Sequence, residues 1–191
     1  MVFIKRMVKA GWMPLWSVPD VGRNILGKEA PVRVYLASLQ QCIGAANWPA
    51  ALCLALTLPE MASAIETPEI EARQRYAKWF DRWVGEKYRT SLLSGTRRFL
   101  SGSDCYVLKC AVLYQDVDAR SAHDRTYILD RYCFTSKLED HCTHKGGVLQ
   151  LAICHFCRDV VAGCEAWLSA AEHDPRKAAR LKAGLGLTGV S

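Results

Sequence analysis

The sequence lacks an apolar run of the roughly 18 residues that a membrane-spanning helix needs, although half of its residues are apolar. The opening Met-Val-Phe-Ile is followed by Lys5, Arg6 and Lys9, and no apolar region with a small-residue cleavage site comes next. We therefore expect a cytoplasmic protein that does not use a membrane. The chain also has no internal repeat and no glycine-rich nucleotide-binding loop, which excludes repeat arrays and phosphate-loop enzymes.

The cysteine count is odd, and the nine cysteines do not follow the spacing of a small disulfide-rich domain. Most lie among apolar residues at helical spacing, where reduced cysteine behaves as a small hydrophobic side chain. We therefore predict free, mostly buried thiols. A cysteine nucleophile would need an oriented histidine, and the sequence singles out no such pair.

Histidine and cysteine together offer a zinc site as an alternative. Two short segments supply nitrogen and sulfur ligands, His141-Cys142-x-His144 and Cys154-His155-x-Cys157. Their spacing is not that of a standard zinc finger, and the cysteines of the second segment fit the apolar face of a helix. We therefore predict no metal and no cofactor.

Length and charge set broad limits on the protein. The chain of 191 residues suits one domain with tails, and it is long enough to bury a core. A net charge of +6 is compatible with an anionic partner such as RNA, because lysine and arginine release counterions from phosphates. The position of these charges matters more than their total.

The pattern of apolar residues predicts a mainly α protein. We expect an irregular arm over residues 1–30, a helical domain over 31–171, and a basic, partly disordered tail over 172–191. A helix begins at Pro31, and residues 48–65 are apolar on most sides, as in the central helix of a bundle. Pro59 should kink or end that central helix, because proline removes a backbone donor.

A further helix is predicted from Thr67 to Tyr88, with Trp79, Phe80 and Trp83 as core residues. Residues 92–100 should form a short linking helix or turn. Five cations near this helix are candidates for phosphate or RNA binding: Arg75, Lys78, Arg82, Arg97 and Arg98. An ordinary solvated helix face explains the same charges without a ligand.

Between residues 125 and 153 the pattern changes to period two. Tyr127, Leu129, Arg131 and Cys133 alternate with other residues, and Gly146-Gly147 precedes a second apolar run. We predict a small antiparallel hairpin or meander there. Residues 154–168 then follow a helical template, so a long helix should pack across the bundle.

The residues 103–116 combine a helix start, a buried face and two polar side chains. Ser101 and Ser103 are candidate N-caps, and Cys105 and Leu108 recur at helical spacing. Lys109 and Tyr114 are five residues apart, about 140° around an ideal helix. They would reach one ligand only if the helix frays near Tyr114 or a second subunit contributes.

This segment resembles the signature helix of HEPN (higher eukaryote and prokaryote nucleotide-binding) proteins, which include metal-independent RNA endonucleases. Their signature is an arginine followed, after four to six residues, by a histidine. Lys109 stands in the place of that arginine and Tyr114 in the place of that histidine. Short blocks in the same order extend the resemblance to uncharacterised bacterial HEPN-like proteins: Leu56-Thr57-Leu58-Pro59-Glu60, Lys78-Trp79-Phe80-Asp81, Asp104-Cys105-Tyr106, Val148-Leu149-Gln150-Leu151 and Phe156-Cys157-Arg158-Asp159.

The resemblance implies an HEPN-like helical bundle with a degenerate catalytic motif at Lys109 and Tyr114. Lysine lacks the planar fork with which arginine holds a phosphate, and only about one tyrosine in a thousand is ionised at neutral pH. We therefore expect an RNA-associated binding or regulatory protein, retaining at most weak metal-independent endoribonuclease activity. The alternative is a protein-interaction module that binds or mimics an active HEPN partner without nucleic acid. A homodimer is compatible with both hypotheses.

Overall fold

The computed structural model describes residues 30–92, 95–113, 127–128 and 130–183, and only the backbone at strand residues 91–92 and 95–97. The predicted arm at 1–29 and the end of the predicted tail at 184–191 lie outside this part of the chain.

The described chain is mainly α, as predicted, with a small sheet beside the last long helix. Its helices are α1 (Pro31–Gly44), α2 (Trp48–Glu66), α3 (Ala72–Trp83), α4 (Gly102–Leu113), α5 (Ile153–Glu172) and α6 (Pro175–Ala183). Its strands are β1 (Arg89–Leu92), β2 (Gly95–Arg98), β3 (Tyr132–Thr135), β4 (Thr143–Lys145) and β5 (Val148–Ala152). Short 3₁₀ turns occupy Gly85–Tyr88 and Leu138–Asp140.

Helix α2 is the centre of the bundle and packs against each of the five other described helices. The side chain of Asn47 caps its start by accepting the Ala50 N–H at 3.4 Å. The expected end or kink at Pro59 is not a helix boundary, since α2 continues for seven residues to Glu66. Pro59 is buried, so tertiary packing on several sides of α2 offsets the lost backbone donor.

By length and mean hydropathy, 1.3, α2 also qualifies as a candidate membrane span. Half of that stretch is buried within the structure, and its Glu60 forms an ion pair with Lys109. The central helix of a bundle is expected to be apolar on most sides, so its place in the core explains the composition of α2.

Helix α3 is shorter than predicted. It begins at Ala72, not Thr67, because the Glu71 carboxylate accepts the N–H groups of Arg73 and Gln74 and acts as the cap. It ends at Trp83. Residues 92–100, predicted as a short linking helix or turn, include strand β2, which pairs with β1 in antiparallel orientation.

Helix α4 lies against α2 and α3, with its first turn close to the α3 backbone. Ser101 is the cap, since its hydroxyl accepts the Asp104 N–H at 3.1 Å. A Cβ added to Gly102 would lie 2.2 Å from the carbonyl oxygen of Ala77, which explains why only glycine fits there. The Gly102 N–H donates to Asp81 at 2.9 Å and ties the two helices together.

The second sheet has the order β3-β5-β4. Strands β4 and β5 form an antiparallel hairpin, and Gly146 and Gly147 both have positive φ in its turn. This hairpin does not include the alternating segment of Arg131 and Cys133, which was predicted as its first strand. Strand β3 pairs with β5 in parallel, so the sheet is mixed and not a meander. After β3 the chain passes to the opposite edge of the sheet, where it forms β4, and β5 then pairs between the two edge strands.

Helix α5 carries the predicted apolar face, with Cys157, Val160, Cys164 and Trp167 fully buried. The first part of the predicted tail forms α6, which is docked on the bundle through buried Leu181. An Arg180 guanidinium nitrogen donates to the carbonyl oxygen of Ile65 at 2.9 Å and fixes α6 to the end of α2.

Candidate nucleic-acid interface

Lys109 is a buried cation in the middle of α4. Its Nζ lies 2.5 Å from Oε2 of Glu60, and the side chain is only 3% exposed. The same ammonium lies 4.4 Å from the centre of the Tyr106 ring and 5.6 Å from that of Tyr76. Both distances are within the range of cation–π attraction. Lys109 is therefore held by an internal anion and two aromatic faces.

The charge of Lys109 is set by two opposing effects. Burial lowers the pKa of the ammonium, but the hydrogen bond and negative charge of Glu60 more than offset this, and the pKa is raised overall. Lys109 is therefore a cation neutralised within the protein. To contact a phosphate it would have to leave Glu60.

Tyr114, the other position of the motif, follows α4 and lies outside the described residues. The structure thus brings Lys109 together with Glu60, Tyr76 and Tyr106. It does not describe its relation to Tyr114.

The groups beside Lys109 are not activated for catalysis. The Tyr76 hydroxyl donates to the carbonyl oxygen of Leu56 at 3.1 Å and lies 3.4 Å from the Cys105 sulfur. Burial raises the pKa of Tyr76 well above its usual value and raises that of Cys105 to about 12. Both groups are neutral near pH 7, so neither is a ready nucleophile or base.

All nine cysteines are free thiols in the structure, and four of them are buried, fewer than the predicted majority. Burial raises the pKa of Cys142 to about 11 and that of Cys157 and Cys164 to about 12. Among the residues that the structure describes, no three histidine, cysteine or acidic side chains are grouped to hold a metal. His141 instead accepts the Ala152 N–H through Nδ1 at 3.2 Å.

The predicted cationic row on α3 is only partly available. Lys78 is exposed. Arg82 is also exposed, but it stacks on Trp83 at 4.9 Å and lies 3.5 Å from a Glu66 oxygen. Arg75 is half-buried and donates to the carbonyl oxygen of Ile70 at 3.3 Å. The row therefore presents Lys78 and Arg82 to a ligand.

Arg97 and Arg98 lie in β2 beyond this row. Arg98 donates to both carboxylate oxygens of Asp81, at 3.2 and 3.1 Å, and remains partly exposed. The side chain of Arg97 is outside the described part of the chain, and its backbone pairs with Thr90.

The sequence did not reveal a cationic pocket of about 220 Å³ beside Arg98. Its lining residues are Arg98, Phe99, Arg131, Tyr132, His144, Gly147 and Leu149. In the sequence, Arg131 belongs to a period-two strand pattern and His144 to a possible zinc-ligand segment, and neither pattern indicates that the two side chains line one pocket. Arg131 directly precedes β3 and His144 lies in β4, and these two strands flank β5, an arrangement that period-two alternation does not specify.

Comparison of the chain with protein-family models, curated proteins and solved structures finds no match. The HEPN resemblance therefore depends on the residues quoted above.

Proposed function

We propose that the protein is an HEPN-like, RNA-associated protein that binds RNA without cleaving it efficiently and acts as a binding or regulatory member of that fold. The observation that carries this proposal is the placement of Lys109. The residue at the position of the catalytic arginine is buried on α4 and neutralised by Glu60.

A cleavage reaction of the HEPN type would require the cation at position 109 to hold the scissile phosphate. Moving Lys109 to solvent would break its ion pair with Glu60 and take its ammonium away from the Tyr76 and Tyr106 rings, so the ground-state structure opposes that role. The replacement of histidine by Tyr114 acts in the same direction, because an ordinary phenol is protonated at neutral pH. Binding is then the activity that this arrangement supports.

The exposed charge supports RNA as the partner. Lys78, Arg82 and Arg131 present cations on the surface of a chain whose net charge is +6. In the described part of the chain the exposed large hydrophobic side chains are Tyr35, Tyr127 and Leu138, which come from three separate elements. Scattered apolar side chains do not form an apolar surface for a protein partner, whereas the exposed cations support an anionic partner.

Equilibrium binding of a labelled single-stranded RNA, measured by fluorescence anisotropy from about 50 to about 200 mM salt, tests the proposal. We expect salt-dependent binding that Lys78→Gln weakens, with the salt slope reduced by about one. Lys182→Gln on α6 removes the same charge from another exposed position and is the matched control. Absence of RNA binding across this range, together with a defined protein complex, would favour the interaction module instead.

A further inference from the structure

The cationic pocket defined above is built on a fixed part of the small sheet. Tyr132 of β3 and His144 of β4 are both register partners of Leu149 in β5. Register partners project to the same face of a sheet, so the three residues form one row across it. The Leu149 N–H also donates to the carbonyl oxygen of Arg131 at 2.8 Å, which fixes the backbone from which Arg131 projects.

The charge of the pocket is positive. Two guanidinium groups and one imidazole line it, and none of its seven lining residues is acidic. Arg98 shares its charge with Asp81, but Arg131 pairs with no carboxylate among the residues that the structure describes. Arg131 instead hydrogen-bonds the Tyr127 hydroxyl and lies 5.0 Å from the centre of that ring. Its charge is therefore available to an anion.

The other walls suit the sugar or base beside a phosphate. The half-buried ring of Phe99 lies 6.3 Å from the His144 imidazole. Gly147 has φ of +84° and open space where a Cβ would be, so a ligand can approach its backbone. A volume of about 220 Å³ is below the usual 300 Å³ or more of pockets that enclose drug-sized ligands. It accommodates a phosphate and the adjoining sugar.

We propose that this pocket binds a terminal phosphate of a nucleotide or RNA strand, with Arg131 and His144 as its ligands and Phe99 against the adjoining sugar or base. A planar guanidinium matches phosphate oxygens, and binding through two nitrogens adds orientation to attraction. The chemistry of the pocket specifies only a phosphate group. That RNA supplies this phosphate rests on the proposed function. This site is separate from the Lys109 position in the middle of α4.

Calorimetric titration with adenosine 5′-monophosphate and with adenosine tests the phosphate requirement. Parallel titrations of one short oligoribonucleotide, made with a 5′-phosphate, with a 3′-phosphate or with hydroxyls at both ends, distinguish a free nucleotide from an RNA terminus. We expect the monophosphate to bind and adenosine not to bind. Either the 5′-phosphate or the 3′-phosphate form of the oligonucleotide should bind about tenfold more tightly than the form with hydroxyls at both ends.

Arg131→Gln and His144→Gln should each remove most of this preference, and both change exposed side chains. Lys137→Gln, at an exposed position that does not line the pocket, is the control for net charge. Circular dichroism confirms that each variant is folded. Equal binding of phosphorylated and hydroxyl RNA by the wild type, or wild-type preference in both pocket variants, would overturn this site while leaving RNA binding intact. Monophosphate binding lost in Arg131→Gln, with no binding of any RNA, would support the pocket and overturn the proposed RNA function.

Discussion

Lys109 and Glu60 form a short ion pair, 2.5 Å between Nζ and Oε2, that joins α4 to the central helix α2. Glu60 follows Pro59, so the contact lies where the helix continues past an interior proline. Lys109 thus has a structural partner on another helix.

Removal of one partner of this pair should destabilise the protein. Glu60→Gln leaves the Lys109 ammonium buried with a neutral amide, and we expect a loss of about 1–3 kcal/mol in the free energy of unfolding. The loss should be below the range for fully buried pairs because the Glu60 side chain is one-third exposed. Urea denaturation gives this value.

The double variant Glu60→Gln, Lys109→Met is the control, since it removes the unpaired charge. It should recover part of the loss. A Glu60→Gln protein as stable as the wild type would show that the ion pair does not hold α4 in place.

The same arrangement predicts little or no metal-independent ribonuclease activity. Labelled RNA incubated in chelator should remain intact, and Lys109→Ala, Tyr114→Phe should behave like the wild type. Gel analysis of the products is sufficient. Robust cleavage that disappears in the double variant would mean that lysine and tyrosine perform the two catalytic roles after all.

The strongest periodic patterns were sufficient to predict the helices of the core. The apolar sequence of α2 predicts a buried helix, and so does the apolar face of α5 at Cys157, Val160 and Cys164. Neither prediction requires knowledge of which helices lie next to them. Local signals failed where a distant contact decides the outcome. Packing of α2 on its neighbours lets the helix continue past Pro59, and the Glu71 carboxylate competes successfully with Thr67 for the start of α3.

The candidate site was less predictable for the same reason. The burial of Lys109 depends on Glu60, which lies 49 residues earlier in the chain and on another helix. The pocket depends on a parallel pairing of β3 with β5, and short strands do not specify their direction. The exposure of Lys78 and Arg82 could be predicted, because helical spacing alone places them opposite the apolar face of α3.

The close approach of α4 to α3 makes Gly102 sensitive to the smallest substitution. In Gly102→Ala the new methyl group would lie 2.2 Å from the Ala77 carbonyl oxygen, so the helices must separate. We expect a loss of at least about 2 kcal/mol in the free energy of unfolding. Gly44→Ala, near the end of α1, is the matched control because nothing lies within 4 Å of its added Cβ. Equal stability of the two variants would contradict this packing.

Trp79 and Trp83 should differ in their contribution to stability, although both were predicted as core. Trp79 is 2% exposed and packs edge-on against Trp167 at 6.2 Å, so Trp79→Ala should cost about 3–5 kcal/mol. Trp83 is half-buried and its indole N–H donates to Glu66 at 3.3 Å, so Trp83→Ala should cost about half as much. The denaturant midpoints of the two variants give the comparison. A larger loss of stability in Trp83→Ala than in Trp79→Ala would contradict this prediction.

His141 should make the protein less stable in mild acid. Its Nδ1 accepts the Ala152 N–H, which places the proton of the neutral ring on Nε2, 3.9 Å from Asp159. Burial lowers the pKa of His141, the Asp159 carboxylate partly opposes this, and nearby His155 adds to the lowering. The unfolded chain, with a histidine pKa near 6.5, therefore binds this proton more readily than the folded protein.

Stability contributed by neutral His141 should thus be complete above the unfolded pKa and fall as the pH decreases from about 6.5 toward the lowered folded value. His141→Asn removes the titration but keeps a side-chain oxygen able to accept the Ala152 N–H. The free energies of unfolding of both proteins, measured by urea denaturation at about pH 7.5 and about pH 5.5, isolate this effect because their other titrating groups are shared. The wild type should lose more stability than His141→Asn between these two conditions. An equal loss, or a smaller one in the wild type, would show that protonation of His141 is not opposed by the folded structure.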